Sequence, residues 1–284
     1  MASTVADMNS LFAEIYEDAI FVAREQSLMA GLVTNYVAEG MQDRNLGIYP
    51  TVTAQTKAEG VDYANSTTWN KTSKMTITPA VAMAQIILTD ERISTDPDDA
   101  RQDAAREMGA SIATKIDTDL CNLFSSLTDN TAIGSASSAL TVKEVASGIA
   151  VLRNAKAPNP INVVLHPYHW YDLWVELGQP AGTYSFLGDV ANQAMRDFAV
   201  GAWIGAQWFT DANIDDSTAT TVYSAAFNAG ALALDTREPM MMEVERDASL
   251  LAYELNANAK YGVGIRRGEF GIALLADATT PTGA

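Results

Sequence analysis

One stretch constrains the fold more than any other: residues 94–128, STDPDDARQDAAREMGASIATKIDTDLCNLFSSLT, which read as one long helix. Asp96 can accept hydrogen bonds from the free amides of the first turn, Pro97 suits the first helical position, and Asp98 and Asp99 complement the positive end of the helix dipole. Ala100, Ala104, Met108, Ile112, Ile116, Leu120, Leu123, Phe124 and Leu127 recur at three- and four-residue steps and make one apolar stripe. Arg101, Asp103, Arg106, Lys115 and Asp119 fall largely off it. At 1.5 Å per residue such a rod is about 46 Å long, enough to span a domain.

The residues just upstream, 47–92, have the opposite character. GIYPTVTAQTKAEGVDYANSTTWNKTSKMTITPAVAMAQIILTDERI is rich in Thr, Val, Ile and Tyr, which favour strands, with QIILTDERI read as the last of them. Gly60 and the polar ANSTT favour turns, and Pro79 suits a strand edge or bulge. Between Thr53 and Lys74 there are almost no large aliphatic residues. A hairpin of this kind cannot bury a face on its own chain and needs another surface to lie on.

Composition narrows the classes. A 284-residue chain with 48% apolar residues can pack one large or two modest domains. No uncharged apolar run is long enough for a membrane helix, and MASTVADMNS lacks the basic and apolar segments of a signal peptide, so the expected starting location is cytoplasmic. The formal charge is −17 and the basic residues are scattered, which opposes direct grip on nucleic acid, because that affinity comes chiefly from clustered cations. A single cysteine, Cys121, excludes an intrachain disulfide and reads as a small core residue.

Along the chain, residues 8–30 carry Leu11, Ile15, Ala19 and Val22 at helical spacing, and an arm-like segment follows to Leu46. NTAIGSASSAL, residues 130–140, is the expected domain boundary. Thr141 and Glu144 form a capping-box pattern before a helix that Pro158 and Pro160 terminate. The apolar strand INVVLH comes next, then a helix opened by Pro167 and closed by Gly178. A further helix is expected near 189–200 and a buried strand in AWIGAQWFT. TTVYSAAF, AGALALDT, MMMEVERD, LLAYELNANAKYGVGI and FGIALLAD then read as successive strands.

Motifs with chemical potential are few. His166 and His169 in HPYHW have a spacing that can bind a metal, but they sit at a strand-to-helix turn without a carboxylate motif. GVGIRRG, residues 262–268, imitates a phosphate loop with its third glycine one residue late, and reads better as glycines permitting a bend in a strand. Nucleophile elbows, zinc-protease helices and Walker loops do not occur. Neither an enzyme nor a cofactor or metal site is expected.

The order of amphipathic helix, polar β-excursion with an AEG turn, QIILTDERI and acid-capped long helix resembles the major capsid proteins of tailed bacteriophages. VVLHPYHWYDL, GAWIGAQWFT and KYGVGIRRGEFGIALLADA extend the resemblance through the second half, so it covers about Leu11 to Ala278. It implies an α+β chain of the Hong Kong 97-like capsid fold. Residues 1–46 would be the N-terminal arm and 47–78 the extended loop. Residues 79–135 and 232–284 would form the peripheral domain, with a spine helix at 96–127, and 136–231 the axial domain, which the last strand can join. Met108, Ile112, Ile116, Leu120 and Phe124 would be the core face of the spine, and Lys57, Glu59, Val61, Tyr63, Trp69, Lys71 and Lys74 the intersubunit contact of the loop.

The implied role is a virion shell of pentamers and hexamers around double-stranded DNA, made in the host cytoplasm. A separate scaffolding protein, a portal and a cement protein would be its partners, and the acidic charge suits a wall along which DNA must slide. Two alternatives stand beside it: an encapsulin-like nanocompartment shell of the same fold, and a metal-dependent enzyme using the His166/His169 turn. A β-rich surface adhesin is disfavoured by the lack of a signal peptide.

Overall fold

The computed structural model describes residues 28–49, 52–54, 56–62, 69–70, 73–95, 99–178 and 202–281. A short helix α1 (Met29–Leu32) and strand β1 (Thr34–Val37) lead to β2 (Arg44–Ile48) and β3 (Ser73–Ile77), which pair antiparallel. Next come β4 (Ala80–Thr89), helix α2 (Asp90–Thr95) and the long helix α3 (Asp99–Cys121). The second half holds β5 (Ile133–Gly134), α4 (Val142–Asn154), β6 (Ile161–Leu165), α5 (Pro167–Gly178), β7 (Ala202–Trp203), β8 (Ala206–Thr210) and β9 (Val222–Asn228). It closes with β10 (Leu232–Asp247), β11 (Ala252–Ile265) and β12 (Gly271–Ala276).

The strands form a four-stranded sheet in the order β1-β10-β11-β4, a six-stranded sheet in the order β5-β12-β9-β6-β8-β7, and the separate pair β2-β3. Helix α3 lies on the four-stranded sheet, where alternation turns Ala82, Ala84, Ile86 and Leu88 of β4 to the core opposite Ala259, Ala257, Leu255 and Tyr253 of β11. The alanines leave room for Met108 and Ile112, which are 1% and 3% exposed. Tyr261 on β11 donates its hydroxyl hydrogen to Asp119 Oδ2 at 2.7 Å, pinning the helix to the sheet.

Both ends of the long helix depart from the sequence reading. Asp90–Thr95 is helical, not the end of a strand, and the expected Asp96/Pro97 cap lies outside the described residues. At the other end the helix stops at Cys121 and tightens into a 3-10 turn at Phe124–Ser126, with Leu127 N–H donating to Phe124 O at 3.2 Å. The tightening rotates Phe124 and Leu127, 0% and 2% exposed, into the core. Apolar residues at 120, 124 and 127 satisfy either helical period, so the change is invisible in the pattern. Leu120 is fully buried and Ile116 partly so.

The second core lies on the six-stranded sheet under α4 and α5, with Val145, Ile149, Leu152, Trp170 and Trp208 among its members. Thr141 and Glu144 make the reciprocal capping box. AWIGAQWFT is a hairpin and not one strand, because Ile204 (φ +51°) and Gly205 (φ +74°) form a two-residue turn that only positive φ permits. AGALALDT and MMMEVERD merge into the single strand β10, with irregular pairing around Pro239. Strand β12 pairs with β9 and β5, so it belongs to the six-stranded sheet. The expected helices at 8–30 and 189–200 lie outside the described residues.

Ile112 and Ile116 give a graded test of this register. Ile112→Asp buries an unpaired charge and is expected to cost several kcal/mol, abolishing cooperative thermal unfolding. Ile116→Asp, at a half-buried site, is expected to lower the melting temperature while leaving a cooperative transition.

Candidate assembly surfaces

The β2-β3 pair opens into the loop that the sequence left without a core. Its described residues 52–54, 56–62 and 69–70 are all exposed. Val52, Val61 and Trp69 keep 55–60% of their surface in solvent. The two arms are held together by a stack of Tyr49 on Trp69, ring centroids 5.1 Å apart and planes within 11°. A turn within the loop is closed by Val61 N–H to Ala58 O at 3.4 Å, with Gly60 at φ +76°. Lys57 precedes that turn, Glu59 lies within it, and both are exposed. Tyr63 and Lys71, and the side chain of Lys74, lie outside the described residues.

A second uncovered surface is the face of the four-stranded sheet opposite α3. Val81, Met83 and Ile87 form an apolar row on edge strand β4, interrupted by Gln85, each about half exposed, and Met241 on β10 extends it. Their cross-strand neighbours are polar: Lys260 faces Val81, Asn258 faces Met83 and Glu254 faces Ile87. Glu243 and Glu245 add two acids on β10. Sequence reasoning missed this face, although AVAMAQIIL carries a usable signal. A strand apolar at nearly every position is covered on both sides. Leu250 and Leu251, at the β10–β11 turn, are also largely exposed.

A family model described as phage capsid protein matches residues 84–275, more than half of the chain. The chain belongs to the phage capsid protein family. Solved structures agree at the level of the fold. A chain from Mycobacterium phage Che8 is 16% identical, with 87% of this chain and 90% of that one covered at a TM-score of 0.67. One from the capsid of Helicobacter pylori bacteriophage KHP30 is 11% identical, covering 89% and 92% at 0.68. A virus-like particle chain from Pyrococcus furiosus is 9% identical, covering 93% and 98% at 0.58. This capsid protein therefore has the Hong Kong 97-like fold. No curated protein matches it.

In the capsid protein the histidine turn is tied into the fold. His166 backbone N–H donates to Ser224 Oγ at 3.1 Å, and its Nδ1 accepts from Tyr168 N–H at 3.2 Å. His169 Nδ1 lies 2.7 Å from the same Ser224 hydroxyl. Thus both residues fasten the start of α5 to β9. Among the described residues no group of three or more His, Cys, Asp or Glu side chains is placed to hold a metal. Cys121 is buried with Sγ 3.6 Å from Asp211 Oδ2, and burial raises its pKa, so the thiol stays protonated and unreactive.

His169 makes the fold sensitive to acid. Its side chain is fully buried, and burial, reinforced by the neighbouring His166, lowers its pKa to about 4. The unfolded chain takes up this proton first, near pH 6.5. The contribution of His169 to stability is therefore intact above that pH and falls as pH drops towards 4, by about 3 kcal/mol. Urea unfolding at pH 7 and pH 4 measures it, and His169→Gln is expected to reduce the difference.

Proposed function

We propose that this chain is the major capsid protein of a tailed bacteriophage, closing as pentamers and hexamers into an icosahedral shell around double-stranded DNA. The observation that carries this reading is the uncovered loop. Its described apolar side chains, Val52, Val61 and Trp69, are exposed in the single chain, yet the Tyr49–Trp69 stack ties its two arms together. A lattice supplies the missing cover from the next subunit. The open face of the four-stranded sheet fits as the seat: Val81, Met83 and Ile87 for the apolar side chains, Glu243, Glu245 and Glu254 for Lys57, Lys71 and Lys74.

On this reading residues 1–46 are the arm and 47–78 the extended loop, whose base ladder starts at Arg44. Residues 79–135 with 232–284 form the peripheral domain around the spine α3, and 136–231 the axial domain, joined by β12. A separate scaffolding protein and a portal are the further partners proposed for this role, with room for a cement protein, and synthesis is in the host cytoplasm. The formal charge of −17 supports a wall that repels packed DNA. A nanocompartment of the same fold predicts protein cargo where this reading predicts nuclease-protected DNA inside purified particles.

The loop supplies the decisive test. Replacing residues 54–72 by a short Gly/Ser linker is expected to leave circular dichroism near normal while abolishing shells in sedimentation and electron microscopy. Trypsin is expected to cut free subunits at Lys57 and to spare that bond in particles. Closed particles from the deletion would remove the loop as the intersubunit element.

A further inference from the structure

The β2-β3 hairpin is a sheet of its own, so its direction is set by whatever its base touches. The last rung of its ladder is Arg44 opposite Ile77. Beneath it lies a rung of the four-stranded sheet, in which Tyr36 of β1, Asp235 of β10 and Gly262 of β11 are partners across three strands. Both residues of the hairpin rung engage this one.

Ile77 is fully buried, yet it belongs to neither apolar core. It occupies a notch where β11 has no side chains. A Cβ on Gly262 would stand 2.8 Å from Ile77 Cγ2, and one on Gly264 would stand 3.0 Å from its Cγ1. Neither glycine has a positive φ, so clearance accounts for them and not backbone freedom: for Ile77 at Gly264, and for Ile77 with the Thr78 carbonyl and Pro79 Cα at Gly262.

On the other hairpin strand, the Arg44 guanidinium lies over the Tyr36 ring, 4.9 Å from its centroid, with Nε 2.9 Å from Asp235 Oδ2. The same oxygen accepts from Arg237 Nε and Nη2 at 3.0 and 2.7 Å. Arg237 Nη1 in turn donates to Gly40 O at 3.1 Å, in the segment joining β1 to β2. The Asp235 side chain is fully buried, while that of Arg44 keeps 23% exposure.

We infer that this rung is the hinge of the hairpin: Ile77 in the glycine notch is the pivot, and the carboxylate of Asp235, shared by Arg44 and Arg237, is the latch that fixes the hairpin's angle. A knob in a slot restrains translation but leaves rotation about itself. The ion pair acts one strand spacing away, about 5 Å, which is the lever arm that stops that rotation. Resting on the shell reading above, the angle sets how one subunit meets the next and hence the curvature of the shell.

The hinge can be read in free, full-length subunits. Nitroxides at Val61→Cys and Val81→Cys, two exposed positions on the loop and the sheet, are introduced in a Cys121→Ala background and their separation is measured by pulsed electron resonance. Arg44→Met is expected to broaden the distance distribution at least twofold without lowering the melting temperature. Arg44→Lys, which keeps a cation within reach of Asp235, is expected to stay near the unaltered width, a rescue that lost packing alone would not produce. Gly264→Ala is expected to shift the mean distance, and adding Ile77→Ala to remove that shift. Distributions unchanged in both Arg44→Met and Gly264→Ala would overturn the hinge.

Particles made with the neighbouring reading frames test the curvature. Arg44→Met is expected to give open sheets or mixed diameters by electron microscopy. Shells of normal diameter from a variant with a broadened hairpin would overturn the link to curvature. No shells from the unaltered chain would overturn the shell reading and leave the measurement on free subunits to decide the hinge.

Discussion

The contact of Phe124 with Phe227, ring centroids 5.8 Å apart, is where the two halves of the molecule become one core. Helix α3 runs along the four-stranded sheet on a floor of alanines, then tightens at its end and drives Phe124 into β9 of the six-stranded sheet. Residues of both sheets consequently share one apolar cluster. The helix also holds the first described segment. Asp117, buried within it, accepts from Leu28 and Met29 N–H at 3.1 and 3.2 Å, satisfying amides at the start of α1 that have no helical partner. One rod thus orients the start of α1, the sheet that carries the hairpin, and the second sheet.

Surface character follows from that layering. Because α3 covers only one face of the four-stranded sheet, the other face keeps Val81, Met83, Ile87 and Met241 in solvent beside acids. A lone apolar residue in solvent is ordinary, but an aligned row on an edge strand beside an uncovered loop is the pattern of surfaces that meet other chains. The family to which the chain belongs builds capsids, and both the open face and the loop expose apolar side chains.

Legibility of the fold tracked how local its causes are. The capping box at Thr141 and Glu144, the proline-opened helix after INVVLH and the alternating strands of the last third depend on neighbours within a few residues, and all are found. Where geometry comes from distant contacts the pattern was silent. The end of α3 is set by Phe227, about a hundred positions away, and the turn in AWIGAQWFT by positive φ at an isoleucine, a residue that rarely adopts it. Tyr49 was overlooked because its partner Trp69 lies across the loop. GVGIRRG was read as a strand needing freedom to bend. Its first two glycines instead make space for Ile77 and, at Gly262, for the Thr78–Pro79 backbone, a reason that no inspection of residues 262–268 alone could reveal.

The ionic character of the Arg44–Asp235–Arg237 contact bears on why such a group stands there. Replacing a buried ion pair by apolar side chains of similar volume is often neutral or stabilising, so stability alone does not account for it. Direction does. Apolar packing around Ile77 tolerates rotation at small cost, whereas a buried carboxylate oxygen that accepts two N–H groups from Arg237 and lies 2.9 Å from Arg44 Nε has few orientations that keep both arginines in place. With Arg237 also holding the Gly40 carbonyl, the same carboxylate governs both the path of the chain into β2 and the angle at which the hairpin leaves. A structural element whose task is to reach another molecule depends on aim more than on attachment, and a shared charge beside a small pivot provides aim.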